Sequence, residues 1–173
     1  MGKRFGIRNE RGFSLVELLT VVMIMGILAA IAVPTFAGSK RNGQDALAQT
    51  SLRTGLSAQR TYYVDYQAYT TDVGTLRQIE SQLDFETTDA RESGVMAAVG
   101  GTPAEQAVVL VSTSESGNQF CLMNIATTLT AGVNGQTAPG TYYKKIEDVA
   151  TPPIAVTTGQ CGTGGYVDTE AGW

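Results

Sequence analysis

Glu17 is the residue whose position most constrains the chemistry of this chain. It is the last charged residue before an apolar run, and the next charged side chain is Lys40. A carboxylate held in hydrocarbon is strongly disfavoured unless a cation pairs with it, so an intramembrane acid marks a candidate functional site. The alternative, from position alone, is that Glu17 lies at the level of the lipid headgroups and is solvated there.

Cys121 and Cys161 are the two cysteines of the sequence. In an exported protein, an isolated pair most simply forms one disulfide. Such a bond closes a loop of about 40 residues and stabilises the fold by roughly 4 kcal/mol in the chain-entropy model. The alternative is a pair of free, buried thiols.

The sequence has no arrangement of side chains that is typical of an enzyme. Histidine is absent, which removes the commonest general base and metal ligand and excludes Ser-His and Cys-His pairs. We therefore predict a protein that is not an enzyme and has no cofactor. The formal net charge of −4 argues against broad nucleic-acid binding, which requires basic surface. The basic pair Lys144-Lys145 is too small to change this prediction.

Acidic side chains cluster between residues 84 and 92, at Asp84, Glu86, Asp89 and Glu92. Hard cations such as Ca²⁺ prefer several oxygen ligands, so a calcium site is one interpretation. The Asp-x-Asp-x-Asp-Gly spacing of a calcium loop is absent. The pattern therefore favours a solvated surface.

A long apolar helix is the element that must position Glu17. Residues 18–39 carry no charge, and a run of about 18 apolar residues is long enough to cross a bilayer. Pro34 removes a helix hydrogen bond, and together with Gly26 it predicts a kink or a locally unwound stretch. Basic residues before the run keep that flank cytoplasmic and predict export of the rest. These residues are Lys3, Arg4, Arg8 and Arg11.

An ordinary secretory signal peptide is the alternative interpretation of this segment. Ala30-Ile31-Ala32 offers a small-x-small site for signal peptidase. Two features oppose that interpretation. The apolar run is longer than a usual signal core, and it continues into sequence that favours a helix.

Beyond Lys40 the helical pattern becomes amphipathic. The spacing predicts that the same helix continues to about residue 69 and lays one face against a globular head. Asp72 is predicted to cap a short second helix containing Leu76, Ile79 and Leu83. The apolar face of the long helix is predicted to contain Ala48, Leu52, Leu56, Tyr63 and Tyr66.

The remainder of the chain predicts a small antiparallel sheet. A turn at residues 115–118 joins the first two strong candidates, and the tail from residue 157 has little strand signal. The predicted fold class is α+β, a long N-terminal helix packed on that sheet. The predicted strands are residues 107–113, 120–130 and 141–146, with weaker candidates at 94–99 and 154–158.

The N-terminal pattern resembles the prepilin signature of type IV pilins and pseudopilins. Gly12, Phe13, Glu17 and Pro34 match that signature in order and spacing. The resemblance implies that a membrane peptidase cuts after Gly12 and methylates the new amine of Phe13. It also implies that Glu17 meets the Phe13 amine of a neighbouring subunit, and that the helix melts between Gly26 and Pro34 in the filament.

The resemblance further implies how the chain is organised. A disulfide between Cys121 and Cys161 would bound a C-terminal loop, and Asp168 and Glu170 are candidates for a cation, as in some pseudopilins. The implied segments are a leader (1–12), a transmembrane and assembly helix (13–39), its amphipathic continuation (40–69) and a globular head (70–173).

The function that the resemblance implies is that of a structural subunit of a type IV pilus. The expected partners are copies of the same chain, the prepilin peptidase and methyltransferase, the inner-membrane assembly platform, and membrane lipid before assembly. The expected location is the cytoplasmic membrane, with a cytoplasmic N-terminus, and afterwards an extracellular pilus.

Two alternatives to the pilus subunit stay open. One is a pseudopilin of a type II secretion or competence system, whose N-terminal chemistry is the same. The cysteine pair and the Gly/Thr-rich head favour a true pilin over it. The other is a membrane-anchored binding domain that never polymerises, for which Glu17→Ala would leave complex size unchanged.

Overall fold

The computed structural model describes residues 12–86, 94–147, 149, 157, 159, 161, 162, 167 and 168. By compactness the chain divides into two units, one ending at Lys40 and the other beginning at Arg41. The elements in the described part are α1 (Leu15–Tyr66), α2 (Val73–Ile79), β1 (Met96–Gly100), β2 (Ala107–Thr113), β3 (Gln119–Ile125), β4 (Gly140–Ile146) and β5 (Val167–Asp168).

In the first unit, α1 is continuous through Gly26 and Pro34. The predicted alternative of a locally unwound stretch is therefore not found in this single chain. Beside the proline, the Thr35 hydroxyl donates to the carbonyls of Ile31 (3.2 Å) and Ala32 (2.9 Å). Pro34 supplies no N–H to the Ala30 carbonyl, and the Thr35 hydroxyl adds its bonds to the two carbonyls that follow Ala30.

In the second unit, α1 packs one face against the sheet. The predicted face is confirmed for Ala48, Leu52 and Leu56, which are buried, while Tyr63 is half-buried. The prediction for Tyr66 is wrong, since its side chain is 65% exposed. Tyr66 is the last helical residue, and its ring stacks on Tyr62 with centroids 4.4 Å apart.

The chain reverses after Tyr66, three residues before the predicted helix end. Gln67 takes the left-handed conformation (φ 54°), which ends the helix. Farther along, Thr70 lies against the fully buried amide of Gln59. That amide donates to the Thr70 carbonyl at 2.6 Å and accepts from the Thr70 N–H at 3.1 Å. The segment after the helix is thereby held back along α1.

Asp72 caps α2 as predicted. Its carboxylate accepts from the backbone N–H groups of Gly74 (3.1 Å) and Thr75 (3.3 Å). Hydrogen bonds from the Thr75 hydroxyl and the Gly74 amide hold the pKa of Asp72 below its ordinary value. The prediction that Leu83 belongs to this helix is wrong. The helix ends at Ile79, and Leu83 is buried from the turn that follows.

The sheet is an antiparallel meander in the order β1-β2-β3-β4-β5, which confirms the predicted α+β fold class. β3 ends at Ile125 and not near residue 130. β5 was not predicted, because the tail has little strand signal of its own. It is a strand because it pairs with Tyr142 and Tyr143 of β4. The weaker candidate at 154–158 lies, except for Thr157, outside the described residues.

Both faces of the two central strands are buried. Side chains alternate between the faces of a strand, so successive residues of β2 and β3 enter different clusters. One cluster contains Val108, Leu110, Phe120 and Leu122 together with buried residues of α1. The other contains Val109, Val111, Cys121, Met123, Tyr142 and Cys161.

Candidate assembly and processing site

The start of α1 is specified by four residues, Ser14 to Glu17. Ser14 precedes the first helical residue, and its carbonyl accepts the first helical bond, from the Leu18 N–H at 3.2 Å. The Glu17 carboxylate reaches back and accepts from the Ser14 N–H at 3.2 Å. The bond from the Ser14 N–H to the Glu17 carboxylate is the Glu half of a capping box, for which Ser-x-x-Glu is the sequence signal. This capping role of Glu17 was not predicted, although the Ser-x-x-Glu signal is present in the sequence.

Glu17 has no cationic partner among the residues that the structure describes. One carboxylate oxygen accepts from Ser14, and the remaining lone pairs have room for another donor. The negative charge also lies favourably near the positive end of the helix dipole. The geometry therefore provides an exposed, pre-oriented carboxylate that can accept a cation.

Gly12 and Phe13 lie just before this cap. Both are exposed, and the Phe13 side chain is 89% accessible. No heavy atom lies within 4 Å of where a Cβ on Gly12 would stand. Among the described residues, the space beside Gly12 and its bond to Phe13 is therefore unobstructed. The basic residues of 1–11 lie outside the described part of the chain.

The helical part of the first unit is covered with exposed apolar side chains. By length and composition, α1 is capable of crossing a membrane, a property that signal sequences share. Surface this apolar is normally covered by lipid or by other apolar helices. The exposed apolar side chains of this part of α1 include Leu15, Val16, Leu18, Leu19, Ile31, Val33 and Phe36.

Cys121 of β3 and Cys161 form a disulfide with 6.2 Å between their Cα atoms. Both residues are buried, and the Lys144 ammonium donates to the Cys161 carbonyl at 2.6 Å. The bond therefore ties the C-terminal segment to a central strand of the sheet.

Among the described residues, no group of three or more His, Cys, Asp or Glu side chains could hold a metal, so the candidate cation sites gain no support there. Asp84 instead forms an exposed ion pair with Arg77 at 3.2 Å. The side chains of Asp89, Glu92, Asp168 and Glu170 lie outside the described part.

Comparison of the sequence with known proteins identifies a motif at the N-terminus and several relatives. The model of the prokaryotic N-terminal methylation motif matches residues 7–33. The type IV major pilin protein PilA of Myxococcus xanthus is 42% identical over 66 residues, which is 38% of this chain and 30% of the relative. The type IV wide pilus major component PilA4 of Thermus thermophilus is 26% identical over 117 residues, 68% of this chain and 74% of the relative.

Type II secretion proteins are also among the relatives. The core protein G of Vibrio cholerae is 34% identical over 89 residues, which is 51% of this chain and 61% of the relative. The similarity therefore spans less than two thirds of the Myxococcus and Vibrio proteins. It confirms the resemblance seen in Gly12, Phe13 and Glu17: the chain carries the N-terminal methylation motif, and its homologues are type IV pilins and core proteins G of type II secretion systems.

Proposed function

We propose that this chain is a type IV prepilin, a membrane-anchored precursor that is cut after Gly12, methylated at Phe13 and polymerised into an extracellular filament. The observation that carries the proposal is the pre-oriented Glu17 carboxylate at the head of an exposed apolar helix. The motif match over residues 7–33 and the pilin relatives support it.

The chemistry of assembly follows from desolvation. A carboxylate that moves among apolar helices needs a cation, and cleavage after Gly12 creates one in the amine of Phe13. A neighbouring subunit can supply that amine to Glu17 and so set the axial register. A head-to-tail contact of this kind does not close on itself and produces a helical filament. Prepilin peptidase, an assembly platform and further copies of the chain are the partners that this route requires.

Glu17→Gln tests this assignment because it separates charge from capping. Glutamine can still accept from the Ser14 N–H, so the capping box survives, whereas the charge that would pair with an amine is lost. We expect Glu17→Gln, like Glu17→Ala, to remain in the membrane and to reduce filament yield at least about tenfold, the effect of one lost charged pair. Wild-type yield from Glu17→Gln would show that the negative charge is dispensable and would refute the ion pair with the Phe13 amine.

The mature N-terminus tests the processing route. Mass spectrometry of the assembled protein should find a chain that starts at Phe13 and carries one added methyl group. A start at Val33, after the Ala30-Ile31-Ala32 site, would instead identify a cleaved secretory signal.

A pseudopilin of a type II secretion system is the second candidate, favoured by the 34% identity to the Vibrio core protein G. Both candidates share the N-terminal chemistry, so the Glu17 and N-terminus experiments do not separate them. Immuno-electron microscopy for this chain does: long surface fibres support the pilin, and filaments confined to the periplasm support the pseudopilin.

A further inference from the structure

Two consecutive residues of α1 form side-chain hydrogen bonds with the tight turn between β2 and β3. One oxygen of the Asp45 carboxylate accepts from the Ser116 hydroxyl, and the other accepts from the Asn118 amide at 2.8 Å. The neighbouring Gln44 amide donates to the Glu115 carboxylate at 2.5 Å. We name these five residues, Gln44, Asp45, Glu115, Ser116 and Asn118, the turn clamp.

The turn is a firm anchor for these contacts. The Ser114 N–H donates to the Asn118 carbonyl at 2.8 Å, and the Gly117 N–H donates to the Ser114 carbonyl at 3.0 Å. Gly117 takes a left-handed φ of 94°, which glycine adopts without strain. The strands on both sides, β2 and β3, are buried along their whole length. If the contacts of the clamp break, the helix is therefore freer to move than the turn.

The clamp also lies at a special place along α1. Every described residue from Gly12 to Gly43 is exposed, and Gln44 and Asp45 are the first that are not. Gln44 and Asp45 are half-buried, and Ala48 and Leu52 are the first positions of α1 that are fully buried. Before the clamp, α1 is held by its own backbone bonds, and two glycines, Gly38 and Gly43, have open space around the Cβ position.

We propose that the turn clamp is the stop for unwinding of α1: residues before Gln44 can leave the helix when the filament forms or is stretched, and residues after Asp45 stay helical against the sheet. The proposal rests on the proposed function, because neighbouring helices in a filament are what would stabilise an unwound stretch. It adds a defined end to the stretch of α1 that Gly26 and Pro34 weaken, since both residues are unfavourable in a helix interior.

The groups around Asp45 suit this role. Its oxygens are occupied by hydroxyl and amide donors, and Lys145 of β4 adds a favourable charge. Charge-assisted hydrogen bonds are stronger than neutral ones, so a carboxylate at this position holds the helix better than a neutral side chain would. Removing the carboxylate should therefore loosen the helix locally without opening the sheet.

Amide hydrogen exchange on the full-length chain tests the proposal, first in detergent micelles. For Asp45→Ala we expect protection of residues 41–48 to fall about tenfold or more, since one charged acceptor with two donors is lost. Residues 52–60 should keep wild-type protection. The matched control is Asp65→Ala, which removes an exposed carboxylate of the same helix and should leave residues 41–48 unchanged.

Ser116→Ala approaches the same bond from the turn and should produce the same local pattern with a smaller amplitude. A uniform loss of protection along residues 41–66 in both variants would overturn the proposal, because it would show general destabilisation of the head. Unchanged protection at residues 41–48 would overturn it as well.

The same measurement on filaments separates this proposal from the proposed function. In wild-type filaments the fast-exchanging stretch should end before Gln44, and in Asp45→Ala filaments it should extend to Ala48 or beyond. A stretch that ends at the same residue in both filaments would overturn the clamp while leaving filament formation intact. If no filaments form even from the processed wild-type chain, the proposed function fails, and the micelle result alone decides the clamp.

Discussion

Tyr69 is a buried side chain just after the end of α1, and its hydroxyl belongs to a network of polar groups. Its hydroxyl donates to the Asn124 side-chain oxygen. The Asn124 amide in turn donates to the Thr141 hydroxyl at 2.7 Å and the Gly140 carbonyl at 3.1 Å. Arg60 of α1 donates to the same Thr141 hydroxyl at 2.9 Å. Buried polar groups of this kind are stabilising only while each has a partner.

Burial raises the pKa of Tyr69 to about 12, with the charge of Arg60 opposing that rise and Tyr63 adding to it. The neutral phenol is therefore the form that the fold prefers. Its stabilising contribution is complete below the unfolded pKa of 10.0 and is lost as the pH rises through about 12.

We expect Tyr69→Phe to lower the free energy of unfolding by about 1–2 kcal/mol at neutral pH, because the Asn124 oxygen loses its donor. Between pH 10 and 12 the wild type should lose stability faster than the variant, so the difference between them narrows. Urea unfolding of both chains in micelles across this range measures the effect. Tyr66→Phe, at an exposed tyrosine, is the control, and curves for Tyr69→Phe that stay parallel to the wild type would contradict the prediction.

At the scale of elements, the close approach of α1 to the sheet depends on Gly55. A Cβ at this position would lie 3.2 Å from a Val95 methyl, 3.4 Å from Leu83 and 3.5 Å from Leu110. The helix face also contains the small Ala48, which is fully buried. A glycine weakens a helix in general, so its presence here reflects the space left between α1 and the strands.

Gly55→Leu should destabilise the head by about 2–3 kcal/mol, since added methylenes in a packed core displace their neighbours. Gly43→Leu is the matched control, because it makes the same change in the same helix where nothing lies within 4 Å. The control should be neutral or stabilising, by up to about 1 kcal/mol of helix propensity. Urea midpoints for the two variants decide the matter; equal midpoints would mean that Gly55 is not a packing position.

At the scale of the whole molecule, the Cys121–Cys161 disulfide is the covalent link between the sheet and the C-terminal segment. The two cysteines are 40 positions apart in sequence. β5, which completes the sheet, follows Cys161 by only a few residues and forms two residue pairs with β4. So short a strand gains little from its own pairing, and the disulfide restricts how far it can depart.

Replacing both cysteines by alanine should lower the free energy of unfolding by about 4 kcal/mol in the chain-entropy model. Unfolding with and without a reductant provides the internal control. Reductant should shift the wild-type midpoint toward that of the double variant and leave the variant itself unchanged. A double variant within about 1 kcal/mol of the wild type would contradict the stabilising role, because that is far below the cost of freeing a loop of this length.

Local sequence patterns were enough to predict those helices and strands that depend on residues close together in the chain. The run of residues 18–39 is recognised by its length and lack of charge, and β2 by its β-branched composition, while Asp72 signals the start of α2. Gly12, Phe13 and Glu17 of the prepilin signature likewise lie within six residues, and Pro34 follows in the same helix. The fold class and the resemblance followed from these patterns because each depends on short-range spacing.

Apart from the pairing of Cys121 with Cys161, only the tertiary structure decided which distant segments meet. Asp45 and Ser116 are 71 positions apart, and Gln59 finds its backbone partner 11 residues later at Thr70. β5 is a strand because the edge of β4 is available for pairing. Leu83 is buried because the turn that carries it lies against the core, and it does not belong to a helix. Such contacts depend on how the chain returns on itself, and hydrophobic periodicity carries no information about that return.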